Sequence, residues 1–167
     1  AKKSGLNNEV LRENDEIATT SIFGNFMAGS YFFANQAYNA NELTINDQLY
    51  LLESQIIHSL AEKGPCVIIG RCADYVLREH KHTLNVFVHA DIEFRKKRAV
   101  EHYGISPKKI EDFLHKQDKH RAHYHSFYTD QKWKAIENYD LTIDSSRFGI
   151  DASVEMIIAA AKIKSGI

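Results

Sequence analysis

The chain has 167 residues, a formal net charge of −1 and a pI near 6.8. This length suits one compact domain with its own core, and the balanced charge argues against binding of a nucleic acid polymer, which needs a basic stripe. The two cysteines, Cys66 and Cys72, make no disulfide framework and indicate a reducing compartment. No apolar run approaches the roughly 20 residues that span a bilayer. We therefore expect a soluble, cytoplasmic protein without a membrane partner, and composition leaves its oligomeric state open.

The first 43 residues show little regular patterning. Asn7 can cap a helix close to the start of the chain. Residues 16–43 combine glycine, asparagine and six aromatic side chains, a mixture that favours turns and loops around a ligand over a regular buried element.

Helix and strand patterns become clear from residue 44 onward. Apolar residues recur at helical spacing between Leu49 and Leu60. Thr44 or Asn46 can cap this helix, and Gly64-Pro65 ends it. The short apolar run Cys66–Gly70 that follows predicts a strand buried on both faces, as in a parallel sheet.

The remaining segments continue this alternation of helix and strand. They are a short helix at 74–79, a strand at 84–89, a helix from Asp91 to Tyr103, a helix that Pro107 opens and that extends beyond Arg121, a strand at 139–144 and a closing helix capped by Asp151. Such alternation predicts an α/β three-layer sandwich, in which helices cover both faces of an open parallel sheet. The chain contains no internal repeat or low-complexity linker, so we predict a single domain over 1–167.

The first candidate site follows the predicted strand Cys66–Gly70. In open α/β sheets, ligands bind beyond the carboxyl ends of the strands. Arg71 lies at that edge, one residue after Gly70, where the missing side chain lets a substrate approach the backbone. A guanidinium there can hold a phosphate through two parallel hydrogen bonds. The alternative is an arginine that caps the strand end and faces water.

The second candidate site is the basic helix that begins after Asp91. Arg95 and Arg98 are three residues apart and therefore share one face. Two arginines aimed at a transferring phosphoryl group would stabilise the charge that develops on it. The alternative is a solvated helix face on which Glu93 and Glu101 balance the charge.

Two further groups of polar residues lie on the next helix. Asp118 and Arg121 share one side of it, where they could form a local ion pair or could together read a base edge and a phosphate. The histidines have the right chemistry for zinc but lack the spacing of a catalytic zinc helix. We interpret them as a polar helix face and predict no metal site; they are His115, His120, His123 and His125.

The phosphate-binding motif Gly-x-x-x-x-Gly-Lys-[Ser/Thr] does not occur in these 167 residues. The nearest match, from Gly24 to Ser30, lacks the lysine that reaches the β- and γ-phosphates. It also follows a weak strand at best, so we reject it as a phosphate-binding loop.

Four segments together resemble the cytidylate kinase-like family of P-loop nucleoside monophosphate kinases. They cover residues 67–75, 118–122, 127–133 and 139–149, and the Gly-Arg-Cys-Ala-Asp and Tyr-Thr-x-Gln-Lys-Trp stretches are the most specific to the family. The resemblance implies the fold of those kinases and phosphoryl transfer from ATP, with Mg²⁺, to a small-molecule nucleotide. CMP or dCMP is the expected acceptor.

The resemblance also implies a role for each candidate residue. Region 16–50 would wrap the acceptor nucleoside, and region 92–130 would form the lid over ATP. Arg95 and Arg98, in or beside that lid, would be catalytic, and Arg147 would lie near the adenine of ATP. The residues implied to bind the acceptor are Arg71, Asp74, Asp118, Arg121, Gly29 and Ser30.

The chain departs from the family pattern in two ways. Cytidylate kinases carry an aspartate directly after the strand-end arginine, whereas Cys72 intervenes here and the aspartate is Asp74, which leaves the acceptor base open. Family members also begin with a strand, a glycine-rich loop and a helix, and the first strand lies between those we predict at 66–70 and 84–89. We therefore expect an upstream segment of roughly 30 or more residues, without which catalysis should be nearly absent. The alternative function is a non-catalytic nucleotide-binding or regulatory module of the same fold.

Overall fold

A computed structural model describes residues 44–166 of the chain. Within that range the elements, numbered in chain order, are α1 (Ile45–Lys63), α2 (Ala73–Val76), β1 (Val86–His89), α3 (Ile92–Tyr103), α4 (Ile110–Thr129), β2 (Leu141–Asp144) and α5 (Ser145–Ser165). Single 3₁₀ turns occur at Pro107–Lys109 and Ile136–Asn138. None of the helices described is long and apolar enough to cross a membrane. The expected helix at Asn7 and the loops of 16–43 lie outside the described residues.

Side-chain caps set the starts of the first two long helices. Thr44 Oγ1 accepts a hydrogen bond from the backbone N–H of Asp47 at 3.2 Å, so Thr44 rather than Asn46 caps α1. Asp91 accepts from the N–H of Phe94 at 2.7 Å and caps α3 as predicted. Both residue types satisfy N–H groups that the first helical turn leaves open.

Two strands form the sheet in the described part of the chain. β1 and β2 pair in parallel, in a register that runs from Val86 opposite Leu141 to His89 opposite Asp144. This confirms the strands predicted at 84–89 and 139–144 and their parallel arrangement. A small parallel sheet with helices is an α/β arrangement, whereas the complete three-layer sandwich stays a prediction.

The strand predicted at Cys66–Gly70 is wrong for the described structure. The segment has no strand partner among residues 44–166, and the side chains of Val67 and Ile69 are 91% and 88% exposed. Ile68 alone packs inward, against Ile57 and its neighbours. An apolar run favours a strand only when another strand satisfies its backbone groups, and that partner cannot be read from the run itself.

The closing helix begins earlier than predicted. Asp144, the last residue of β2, accepts from the N–H of Ser146 at 3.0 Å and caps α5, so Asp151 lies inside the helix. The helical geometry is interrupted at Gly149, whose φ of 78° and ψ of 172° suit glycine. Asp144 therefore caps the part of α5 before Gly149, and Asp151 lies in the first turn of the part that follows the kink.

The helix that Pro107 opens is confirmed, with a different first turn. Pro107–Lys109 is a 3₁₀ turn, and the α-helix then runs from Ile110 to Thr129, well past Arg121. The helix predicted at 74–79 is one turn, Ala73–Val76, because Leu77 leaves the helical conformation.

The described residues divide into two compact units. The first comprises 44–79 and His120–Trp133, and the second comprises His80–Lys119 and 134–166. The core of the second unit contains Ala99, Ile110 and Leu114. The division falls within α4, which therefore supplies residues to both units. The single domain over 1–167 stays a prediction.

The core of the first unit is built around three buried tyrosines. The rings of Tyr50 and Tyr128 stack with centroids 4.1 Å apart, and Tyr124 lies 4.9 Å from Tyr128. Burial raises the pKa of all three phenols well above its ordinary value, so each stays protonated and can donate a hydrogen bond. Tyr128 donates to the fully buried carboxylate of Asp47 at 3.2 Å, and Thr44 Oγ1 donates to the same carboxylate at 2.7 Å.

Replacing Tyr128 with phenylalanine is expected to destabilise the protein by about 1–3 kcal/mol, because it leaves the buried Asp47 carboxylate short of a donor. Urea denaturation monitored by circular dichroism measures this change. Tyr103→Phe is the matched control, since the side chain of Tyr103 is exposed. Equal free energies of unfolding for the two variants would contradict the expectation.

Candidate nucleotide-binding site

Three consecutive residues between α1 and α2 adopt the left-handed conformation. Their φ angles are 70° at Gly70, 60° at Arg71 and 52° at Cys72. Glycine adopts this conformation readily, but each of the other two residues costs roughly 1–2 kcal/mol. Strain of this kind persists only where neighbouring groups hold the backbone, and it is concentrated at functional sites. The turn at 70–72 is therefore the local feature in the first unit that most needs a functional explanation.

The side chains of this turn are held by α1 and α4. Cys72 is buried against the tyrosine cluster. Arg71 Nε lies 3.7 Å from Glu53 Oε1, and the hydroxyl of Tyr124 donates to Glu53 Oε2 at 3.3 Å. The side chain of Arg71 is partly exposed and is oriented by a carboxylate, which is a suitable arrangement for holding an anion. Sequence reasoning located Arg71 but missed Glu53, which lies on the preceding helix.

Asp74 is anchored by a histidine. His125 Nε2 lies 2.9 Å from Asp74 Oδ2, and the two side chains are 7% and 18% exposed. The interpretation of His125 as part of a polar helix face is wrong, because this histidine is buried, whereas His115 and His123 are exposed as that interpretation requires. The signal for an inward-facing side of α4 was present in Tyr124 and Tyr128, which recur at helical spacing.

The other candidates on α4 fall in different units. Arg121 is exposed and belongs to the first unit, whereas Asp118 belongs to the second. Their joint contact with an acceptor nucleotide stays a prediction. Within the described residues, no group of three His, Cys, Asp or Glu side chains is placed to hold a metal ion.

Asp118 forms a two-pronged ion pair in the second unit. Arg95 donates from Nη1 and Nη2 to the two carboxylate oxygens at 2.8 and 2.7 Å, and Lys134 Nζ lies 3.3 Å from the same carboxylate. Partial burial opposes ionisation of Asp118, but the hydrogen bonds and charge of Arg95, helped by Lys134, lower its pKa below the usual value. Through Arg95 and Lys134, the Asp118 carboxylate thus links α4 to α3 and to the segment that follows α4.

The pKa of Asp118 has a consequence for acid stability. A depressed pKa in the folded protein contributes stability that is present above the unfolded value of about 4 and is lost as the pH falls through the folded value. Asp118→Asn is therefore expected to lower the melting temperature at pH 7 and pH 5, with a smaller difference from the parent protein near pH 3. Calorimetry at the three pH values measures this, and a difference independent of pH would contradict it.

The basic face of α3 is only partly neutralised. Lys96 pairs with Glu93 at 2.9 Å and with Glu111 at 2.6 Å, and Lys97 lies 4.0 Å from Glu101. The two lysines therefore fit a charge-balanced helix face. Arg98 is half-buried, as Lys96 is, and differs from the lysines in its contacts.

No carboxylate in the described part of the chain forms an ion pair with Arg98, and no hydrogen bond of its guanidinium occurs there. Of the two arginines predicted on this face, Arg95 is engaged by Asp118. Among residues 44–166, nothing engages the guanidinium of Arg98, which leaves it available for a ligand there. A half-buried cation without an internal partner can bind an anion at little cost in lost contacts.

Polar side chains connect the carboxyl ends of β1 and β2. Ser145 Oγ donates to the carbonyl of His89 at 3.0 Å, and Ser146 Oγ accepts from the N–H of Asp91 at 3.2 Å. Arg147 Nε lies 3.3 Å from Asp144, and the arginine side chain is 82% exposed. Its assignment to the adenine stays a prediction. Gly29 and Ser30 lie outside the described residues.

Comparisons with known proteins agree with the resemblance seen in the sequence. The model of the cytidylate kinase-like family matches residues 1–147. A crystal structure of an uncharacterized protein from Eubacterium ventriosum is 29% identical and superposes with a TM-score of 0.66, covering 71% of this chain and 74% of that one. No curated protein matches the chain. With most of its length matched by the family model, the chain belongs to the cytidylate kinase-like family.

Proposed function

We propose that this protein transfers a phosphoryl group from ATP to a nucleoside monophosphate, with CMP and dCMP as the expected acceptors. Membership in the cytidylate kinase-like family indicates nucleotide kinase-type activity. The observation that carries the proposal is the strained turn at 70–72, which displays a partly exposed arginine between a carboxylate and a buried aromatic cluster. The family match supports the reaction type, and the turn supports the position of the acceptor.

The turn offers two groups to the acceptor. The Nη atoms of Arg71 can donate to the monophosphate while Nε faces Glu53. Asp74 uses Oδ2 for His125, and Oδ1 makes no hydrogen bond within the described residues. That oxygen can accept a hydrogen bond from an amino or hydroxyl group of the nucleotide. Arg71 supplies a cation and Asp74, three residues later in the first turn of α2, supplies a hydrogen-bond acceptor. Together the two groups would fix both ends of a small ligand that carries a phosphate.

The transfer step requires positioning and charge stabilisation and needs no covalent intermediate. Arg98 is the candidate for stabilising the charge that develops on the transferring group, because no carboxylate in the described part of the chain holds its guanidinium. Mg²⁺ would arrive with ATP, bound by the donor phosphates. Closure of region 92–130 over the nucleotides would exclude water and suppress ATP hydrolysis.

A panel of nucleoside monophosphates tests the proposal. Isothermal titration calorimetry of the full chain measures acceptor binding; the ligands are CMP, dCMP, UMP, AMP and GMP. A coupled assay with MgATP measures ADP formation. Binding and turnover with one or two pyrimidine monophosphates is the expected result. The absence of both with every member of the panel would reject the proposed function.

The alternative is a module that binds nucleotides without catalysis. The observation that favours it is the lack of a Gly-x-x-x-x-Gly-Lys-[Ser/Thr] motif in the 167 residues. It predicts that a monophosphate binds in the titration while MgATP gives no turnover. The same pair of measurements therefore separates the enzyme from the binding module.

A further inference from the structure

We infer that His125 is a positioning residue of the acceptor site. Through Asp74 it holds the turn at 70–72 in the left-handed conformation that presents Arg71. The inference rests on the proposed function, because it assigns Arg71 to the acceptor phosphate. His125 itself is buried and would not touch the nucleotide.

Both ring nitrogens of His125 face polar groups of the first unit. Nε2 lies 2.9 Å from Asp74 Oδ2, and Nδ1 lies 3.3 Å from Thr129 Oγ1 and 3.4 Å from the carbonyl oxygen of Gln131. Thr129 Oγ1 donates to the carbonyl of His125 at 2.6 Å and accepts from the N–H of Gln131 at 3.2 Å. A rotation of the ring would leave a buried polar group without a hydrogen-bond partner, so the imidazole is held in one orientation.

The anchored carboxylate lies next to the strained turn. Asp74 is the second residue of α2, a helix of one turn whose cap residue, Cys72, supplies no side-chain cap. A helix this short is not stable by itself and depends on contacts with the rest of the protein. The hydrogen bond from His125 to Asp74 is a polar contact that joins α2 to α4. The two residues immediately before α2 are Arg71 and Cys72, both left-handed.

Loss of this anchor should release the backbone strain. Left-handed Arg71 and Cys72 would gain stability by relaxing, and only their surroundings prevent it. Relaxation would move the guanidinium of Arg71 and would expose the thiol of Cys72, which is buried in the native turn. The thiol therefore reports on the turn without any nucleotide being present.

The first readout is the reaction rate of Cys72 with Ellman's reagent. Cys66 is exposed, so the full chain carrying Cys66→Ser serves as the parent protein. His125→Phe retains a ring but removes the donor to Asp74, and His125→Gln places an amide N–H near the position of Nε2. We expect His125→Phe to raise the rate by about tenfold or more and His125→Gln by less than about threefold.

The second readout is binding of the monophosphate found for the parent protein. His125→Phe is expected to raise its dissociation constant by about tenfold or more, whereas His125→Gln restores affinity to within about threefold of the parent. Ile143→Ala is the control, because Ile143 is buried in β2 of the second unit, so its truncation opens a cavity and lowers the melting temperature without altering a residue of the turn at 70–72 or of α2. It should change neither the thiol rate nor the affinity at a temperature where all variants are folded.

Each outcome decides the inference. A tenfold loss of affinity in His125→Phe, rescued by glutamine and absent in Ile143→Ala, supports it. A thiol rate and an affinity in His125→Phe equal to those of the parent would overturn it, as would an equal loss of affinity in Ile143→Ala. If the parent binds no monophosphate, the proposed function fails. If the Cys72 thiol of His125→Phe then still reacts faster than that of the parent, His125 stabilises the turn but has no role in acceptor binding, and the inference is overturned.

Discussion

Replacing Arg71 with glutamine is expected to weaken binding of the acceptor monophosphate by about 10- to 100-fold. Hydrogen bonds to a charged group contribute about 1.5–3 kcal/mol, and each 1.4 kcal/mol corresponds to a factor of ten in affinity. The stability of the protein should change little, because Arg71 is partly exposed and its ion pair with Glu53 is 3.7 Å long. Titration calorimetry with CMP or dCMP measures the effect.

Two controls make the Arg71 experiment specific. Arg78→Gln removes an arginine of the same unit that lies over the ring of Tyr75, 4.1 Å from its centroid, and it should leave affinity within about twofold. Cytidine, which lacks the phosphate, should bind the Arg71→Gln variant as it binds the parent protein. An equal loss for the nucleoside and the monophosphate would show that Arg71 does not contact the phosphate.

Arg71→Lys separates charge from geometry at the same position. Lysine keeps the positive charge but cannot form two parallel hydrogen bonds. An intermediate affinity is expected, because the electrostatic attraction survives and the fork-shaped contact is lost. Glutamine and lysine are unbranched at Cβ like arginine, so neither substitution should change by much the cost of the left-handed φ of 60° at this position.

Helices and their starts could be predicted from sequence because the determining interactions are local. Thr44 and Asp91 each cap a helix through a bond to an N–H three residues away, and both residues are recognisable from their type and place. The β1 and β2 strands were equally clear. Their parallel direction was expected because helices, α3 and α4 in the structure, separate them in the chain, and parallel neighbours need such a crossover.

The segment Cys66–Gly70 could not be assigned correctly from its local sequence. Its composition favours a strand, but a strand exists only when a second one supplies hydrogen bonds, and the described residues supply none. Local sequence also failed to identify the cap of the closing helix. Asp151 is a suitable residue type for a cap, but Asp144, the last residue of β2, caps the helix where the chain leaves the sheet.

The residues that support the candidate site could not be predicted from the sequence. Arg71 was singled out by the rule that ligands bind where strands end, but that strand is absent from the described structure, and the role of Arg71 stays a prediction. Glu53 and His125 could not be found in that way, because they meet Arg71 and Asp74 only through the packing of α1 and α4. The left-handed turn was also unforeseen, since neither arginine nor cysteine favours it.

The structure separates two arginines that the sequence treats alike. Arg95 and Arg98 lie on one face of α3, but Asp118 holds Arg95 by two hydrogen bonds, whereas no described carboxylate engages Arg98. To contact a phosphate, Arg95 would first have to leave a well-formed ion pair. Arg98 has no such cost, so it is the stronger candidate for stabilising charge during transfer.

Arg98→Gln is therefore expected to lower kcat for phosphoryl transfer by about 10²- to 10³-fold, the usual loss when one donor to a developing charge is removed. Lys97→Gln is the matched control on the same helix, because Lys97 is exposed and lies near Glu101, and it should stay within about twofold of the parent protein. Arg95→Gln should act differently and lower the melting temperature, since it leaves the Asp118 carboxylate without its main partner. Equal losses of kcat in Arg98→Gln and Lys97→Gln would contradict the assignment, because they would trace the effect to the overall positive charge of α3.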